Sequence, residues 1–156
     1  MLKSTDGQHW TEQGNLDIRQ VDGSPIKPGP CGTATAWVED DTWHLFYERN
    51  DAAVWLARSQ DLKTWTHVQD EPVLKCGPEA YDRYAVAFDQ VIKYQGRYYA
   101  YYHASGHAKW KEWSTNLAVS ADLVHWKKYP GNPVLPVDLT DPQRSSACLV
   151  TDGTRF

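Results

Sequence analysis

Asp89 is the first residue of this chain whose position asks for a chemical explanation. It interrupts the apolar run Ala85-Val-Ala-Phe-Asp-Gln-Val-Ile92, where an ionised carboxylate is costly unless a hydrogen-bond network or a function compensates. Glu79, Asp82 and Arg83 lie in the loop entering that run, and Asp138, Asp141 and Arg144 hold the corresponding place before a later small-residue segment, Ser145 to Val150. Acids gathered in this way are candidates for proton transfer, with the arginines beside them as candidates for holding a ligand's polar groups. His103 and His107 are four apart at the end of an aromatic strand. That spacing suits metal ligation on a helix but not on a strand, so no metal site is expected, and His103 is read as a hydrogen-bond donor to a ligand or a backbone carbonyl. Trp37, Trp110 and Trp113 are flat rings with a polar edge, suited to the apolar face of a sugar; core packing is the competing role.

These residues need a scaffold, and the composition indicates its class. The 156 residues include eight Trp and nine Tyr, which favour strands over helices, so an all-β fold is expected. A formal charge of −4 offers no basic field for phosphate backbones, and nucleic acid is not expected as a partner; neutral or weakly charged ligands fit better. The three cysteines, Cys31, Cys76 and Cys148, are scattered and form no Cys-x-x-Cys pair, as in a reduced, cytosol-like setting. Met1-Leu-Lys-Ser-Thr-Asp6 lacks the apolar core of a leader, and no stretch reaches the roughly 18 apolar residues that would span a bilayer. A soluble chain without a membrane partner is expected, and no cofactor is called for.

The scaffold is repetitive. A Ser-x-Asp-x-x-x-Trp phrase occurs at Ser4–Trp10, Ser59–Trp65 and Ser120–Trp126. The Asp of each copy reads as a turn former, because its carboxylate can accept backbone N–H groups two residues on. The three tryptophans read as packing residues of strand edges. Upstream, a polar turn precedes alternating aromatics in Asp41-Thr-Trp-His-Leu-Phe-Tyr47 and Gly96-Arg-Tyr-Tyr-Ala-Tyr-Tyr102, and a third copy begins at Asp152-Gly-Thr-Arg-Phe156. Period-two patterning after a turn describes hairpins. Small or β-branched segments, Gly32 to Val38, Ala85 to Ile92 and Ser145 to Val150, supply the innermost strands. One unit is thus an inner strand, an aromatic strand, a third strand, an Asp turn and an outer strand, four strands in about 55 to 60 residues, which is one propeller blade. Proline-rich stretches such as Pro25 to Pro30, Pro72 to Pro78 and Pro130 to Pro136 read as blade-to-blade crossings.

Ala57-Arg-Ser-Gln-Asp-Leu-Lys-Thr-Trp65 with Glu71-Pro-Val-Leu74, echoed by Ala118-Val-Ser-Ala-Asp-Leu-Val-His-Trp126 with Asn132-Pro-Val-Leu135, resembles the blade signature of the five-bladed glycoside hydrolases, which include glycoside hydrolase family 43 and the invertase-like families. Phe88 to Tyr102 is similar to an inner hairpin of that group. The resemblance runs from Ser4 to Phe156 and implies a β-propeller scaffold with a carbohydrate ligand. It also implies catalysis by carboxylates on inner strands of different blades, one protonating the leaving oxygen while another activates water or attacks the sugar. By this resemblance Asp89, Glu79 and Asp82 are the catalytic candidates, and Arg83, His103, Asp141, Arg144, Trp37 and Trp110 the substrate-binding ones. Asp89 falls where the family has the Asp of an Asp-Pro dipeptide, but Gln90 follows it, and aligning the hairpin turns puts Ala34 and Ser146 at the equivalent points.

The expected fold is therefore an all-β propeller of four-stranded antiparallel blades, about half a propeller per chain. It comprises a blade remnant at 1–12, whole blades at 32–68 and 85–129, and a half blade at 145–156. A homodimer that completes the ring would cover the open strand edges. Two functional readings stay open: a glycoside hydrolase-like protein acting through inner-strand acids, or a non-catalytic sugar-binding or interaction module, including a truncated inactive fragment of a glycosidase.

Overall fold

The repeated Ser-x-Asp phrase folds in the same way three times in the computed structural model, which describes residues 1–27, 29, 31–142, 145–150 and 154. Ser4, Ser59 and Ser120 donate their hydroxyls to Asp6, Asp61 and Asp122 at 3.0, 3.0 and 3.1 Å. One carboxylate oxygen of each Asp then accepts two amides, from Gln8 and His9, Lys63 and Thr64, or Val124 and His125. The residue after each Asp adopts a positive φ: 74° at Gly7, 61° at Leu62 and 69° at Leu123. For Leu123 the steric cost of that conformation is offset by burial in the core.

Eleven strands result among the described residues. β1 (Leu2–Lys3) and β2 (Thr11–Glu12) form a small ladder of their own. β4 (Ala34–Glu39), β5 (Thr42–Glu48), β6 (Val54–Ser59) and β7 (Thr64–His67) form an antiparallel meander, to which β3 (Asp17–Arg19) adds in parallel alongside β7. β8 (Ala85–Tyr94), β9 (Arg97–Ser105), β10 (Trp113–Ser120) and β11 (Trp126–Lys128) form the second antiparallel meander. Each inner hairpin closes through two residues of positive φ, Asp40-Asp41 and Gln95-Gly96, the geometry whose twist matches that of paired strands. The crossing segments make single bridges to the sheets, at Leu74 and at Leu135, the last residue of each Pro-Val-Leu phrase. Among the described residues the one helical element is a 3₁₀ turn, Ala80–Asp82, and no helix is long and apolar enough to cross a membrane.

The main core lies between the two meanders. Phe46, Val54 and Leu56 of the first sheet meet Val86, Phe88, Ala100 and Tyr102 of the second, all at most 2% exposed. Trp126 stands edge-on to Phe46 and Phe88, with ring centroids 5.9 and 4.9 Å away. Trp65 anchors a second cluster with Ile18, Tyr47 and Ala57 on the far face of the first sheet.

Three features differ from the sequence reading. Trp10 is 58% exposed and joins neither core cluster, because β1 and β2 pair only with each other. β3, with no counterpart in the repeat, extends the first sheet by one strand beyond β7. Ser145–Val150, expected as an inner strand, carries no strand; it is fastened to the second sheet instead by Gln90, whose side chain bonds both the amide and the carbonyl of Leu149, and by Thr115, which donates to the Ser145 carbonyl.

The turn carboxylates tie stability to pH. Amide and ring contacts from His9 hold Asp6 well below the usual carboxylate range, and the Lys63 and Thr64 amides lower Asp61. At Asp122 burial opposes ionisation, but the amide and ring of His125, the Val124 amide and the Ser120 hydroxyl outweigh it. A folded-state pKa below the unfolded one stabilises the fold above the unfolded value and loses that contribution as pH falls through the folded one. The melting temperature should therefore hold steady down to about pH 5 and fall progressively below about pH 4. Asp122 is half exposed, so Asp122→Ala should cost only about 1 kcal/mol in denaturant unfolding, and Asp122→Asn should flatten part of the acid slope.

Candidate functional site

Asp89 owes its position to one extra residue in β8. Phe88 pairs with Tyr102 and Gln90 with Tyr101, so Asp89 is the unpaired residue of a β-bulge, a device that re-aims a side chain without ending the ladder. The first sheet has no such insertion: Ala34 pairs with Tyr47, and β4 and β5 stay in register to Glu39–Thr42. Pairing therefore makes Phe88, not Asp89, the counterpart of Ala34, and the alignment by hairpin turns is corrected by one residue.

The bulge delivers the carboxylate to His103 on β9. Asp89 Oδ1 lies 2.7 Å from His103 Nδ1, and the two side chains are 7% and 12% exposed. Asp89 Oδ2 is buried without a hydrogen-bond partner among the described residues. Trp113, at the start of β10, stands edge-on to the His103 ring with centroids 5.0 Å apart. The cluster is thus a carboxylate with one oxygen committed and one open, braced by an imidazole and an indole. Such a carboxylate can accept a hydrogen bond, transfer a proton or attack an electrophilic carbon.

Three loops gather at this end of the second sheet. The 3₁₀ turn packs on Gly106, where an added Cβ would come within 2.2 Å of the Ala80 carbonyl oxygen, and the Tyr84 amide bonds the Ser105 carbonyl. The loop from Gly106 to Glu112 carries Trp110, half exposed at a positive φ. The Trp113 amide bonds the Pro142 carbonyl, which brings the turn containing Asp138 and Asp141 alongside. Glu79, Arg83 and Asp141 are exposed on these loops.

Other candidates sit elsewhere. Asp82 is fully buried, and its Oδ2 accepts from Lys128 Nζ at 2.5 Å. The same ammonium donates to the carbonyls of Lys75 and Gly77, so the pair pins the crossing loop to the outer strand of its own sheet. Trp37 lies between the sheets, edge-on to Tyr98 at 6.2 Å. His107 accepts the Lys109 amide through Nδ1 and does not join His103. Arg144 lies outside the described residues. The other inner-strand acid, Glu39, bonds Lys93 and the Tyr98 hydroxyl, and these contacts lower its pKa. Trp113 was visible in the sequence only as a tryptophan outside the repeat, and the bulge only as one residue too many between the strand and its turn.

No family model matches the chain, and no curated protein matches it. Solved structures do. A sucrose-6-phosphate hydrolase from Lactobacillus gasseri superposes with a TM-score of 0.58 at 19% identity, covering 81% of this chain and 26% of that one. The GH32 β-fructofuranosidase of Bombyx mori gives 0.52 at 20% identity, over 67% of this chain and 24% of that one, and a mutant of it has been solved in complex with sucrose. A GH43 β-1,3-galactosidase gives 0.53 at 17% identity, over 74% and 36%. The chain thus spans about a quarter to a third of the length of these enzymes. At such identities the likeness establishes architecture alone: the chain has the fold of part of a β-propeller of the kind found in GH32 and GH43 glycoside hydrolases.

Proposed function

We propose that the chain forms a carbohydrate site of a glycoside hydrolase-like propeller, in which Asp89 acts on the glycosidic bond. The observation that supports this most is the Asp89 carboxylate itself: carried on a bulge, nearly buried, tied through Oδ1 to His103 and open at Oδ2. A buried carboxylate is costly unless its environment uses it, and His103 fixes its orientation while leaving the second oxygen for a substrate. Glu79 is the second acid on the surrounding loops, and Arg83, Asp141 and Trp110 are the exposed groups available to hold a sugar. Asp82 is committed to Lys128 and enters this scheme as a support of the loop.

A binding module without turnover is the second reading, and one observation favours it. Of the two acids on the inner strands β4 and β8, Glu39 is occupied by Lys93 and Tyr98, which leaves Asp89 alone, whereas glycoside hydrolysis takes two carboxyl groups.

We propose further that two chains associate through the open face of the second sheet. Tyr101 and Leu117 occupy in β9 and β10 the places that Phe46 and Leu56 occupy in β5 and β6. Phe46 and Leu56 are buried against the next sheet, while Tyr101 and Leu117 are half-exposed beside Ile92, Tyr94, Tyr99 and Leu149, around an apolar hollow of about 250 Å³. A second copy presenting a sheet would bury this face as the second sheet buries the first.

Two outcomes are expected. Turnover of a panel of aryl pentosides and hexosides by this chain should be weak or absent, and Asp89→Asn should remove what there is and weaken sugar binding; robust turnover that survives the substitution would overturn the assignment. Light scattering at micromolar concentration should return twice the mass of one chain, and Tyr101→Glu should return the single mass, because a charge on a desolvated face costs several kcal/mol. A single-chain mass for the unaltered protein rules the association out.

A further inference from the structure

A second polar cleft lies on the far face of the first sheet, where the segment leading from β3 to β4 crosses the loop between β5 and β6. It holds about 400 Å³ and continues into a smaller hollow of about 190 Å³, with Lys27, Arg49 and Trp55 lining both. The crossing is close: a Cβ on Gly29 would come within 2.8 Å of the Asn50 side chain. Two carboxylates line the cleft, and both have donors. Asp51 accepts the Trp55 indole N–H at 2.9 Å and the Ala53 amide at 3.3 Å; Asp70 accepts the Val21 amide at 3.1 Å. The two cations are in the opposite condition. Neither Lys27 nor Arg49 forms an ion pair among the described residues.

Arg49 is held in place without spending its donors. Its guanidinium carbon lies 4.5 Å from the centroid of the Trp55 ring, a contact that orients the planar fork while leaving its N–H groups available. Trp55 is braced in turn by His67, stacked at 5.1 Å, and the His67 side chain is 1% exposed with Nε2 2.7 Å from the Tyr47 hydroxyl. His67 also lines the smaller hollow, and its buried Nδ1 lies 3.5 Å from the Asp70 carboxylate. An oriented guanidinium with its donors free, beside an unpaired ammonium, is the polar half of a site whose ligand brings negative charge and acceptor oxygens.

We propose that this cleft binds an anionic carbohydrate, a sugar phosphate or a sugar acid, with Arg49 and Lys27 on its oxyanion and the Trp55 edge beside its ring. The anion is argued from the cleft itself; the sugar rests on the carbohydrate reading given above. The local pair of cations sets this cleft apart from a chain whose net charge is −4.

Isothermal titration with glucose 6-phosphate, galacturonate, inorganic phosphate and glucose separates the parts. At least one of the two charged sugars should bind about tenfold more tightly than glucose and than inorganic phosphate, with an affinity that falls as salt is raised. Arg49→Gln and Lys27→Gln, the latter at an exposed position, should each weaken that binding about tenfold. The anion's share is read as the difference between each charged sugar and glucose, so failure of the Asp89 assignment and failure of this site are read independently. The proposal is overturned if glucose or inorganic phosphate binds as well as both charged sugars, if neither charged sugar binds below about 10 mM, or if Lys27→Gln leaves the affinity as it was.

Discussion

The packing of one sheet on the other is the interaction on which the rest of this structure depends. Phe46, Phe88, Tyr102 and Trp126 meet in one aromatic contact that draws on β5, β8, β9 and β11 at once. Each is a large side chain whose removal from water contributes on the order of 2 to 3 kcal/mol, and the main core exists only where the two meanders face each other. Because Phe88 belongs to that contact, the residue after it is held between a buried anchor and a continuing ladder. The Asp89 carboxylate is therefore positioned by hydrophobic packing before any polar group touches it.

Polar groups then refine what packing begins. His103 turns the Asp89 side chain, Lys128 ties the entry loop down through Asp82, and the Ser-Asp turns close the meanders at their outer ends. In the Ser-Asp turns a carboxylate accepts several donors at once, so that its fixation is compensated locally. Asp82 and Asp89 each keep one buried oxygen without a hydrogen-bond partner among the described residues, but Asp82 is tied to an ammonium and Asp89 to an imidazole.

Much of the scaffold was legible because it repeats. Three copies of one Ser-x-Asp phrase forecast three identical turns, and polar pairs before aromatic runs forecast two tight hairpins, since these follow from local hydrogen bonding and from backbone twist. Trp10 shares the phrase but not its setting, because burial of a tryptophan depends on which sheet lies behind it. Asp82 looked like Glu79 from the chain, as both are acids in one loop. Only the third dimension reveals that one faces Lys128 and the other solvent. Likewise the cleft at Arg49 joins residues from Lys27 to Asp70 that no motif connects.

The bulge at Asp89 has an implication for how such proteins diverge. Since Asp89 is the unpaired residue between two intact stretches of ladder, loss of its single codon would leave an unbulged hairpin like that of the first sheet, with Phe88 and Gln90 still facing their partners. A repeat that differs from its neighbour by one inserted triplet can thus acquire or discard an inner carboxylate while the duplicated framework persists. Copy-and-insert is a short genetic route between a regular blade and a bulged one.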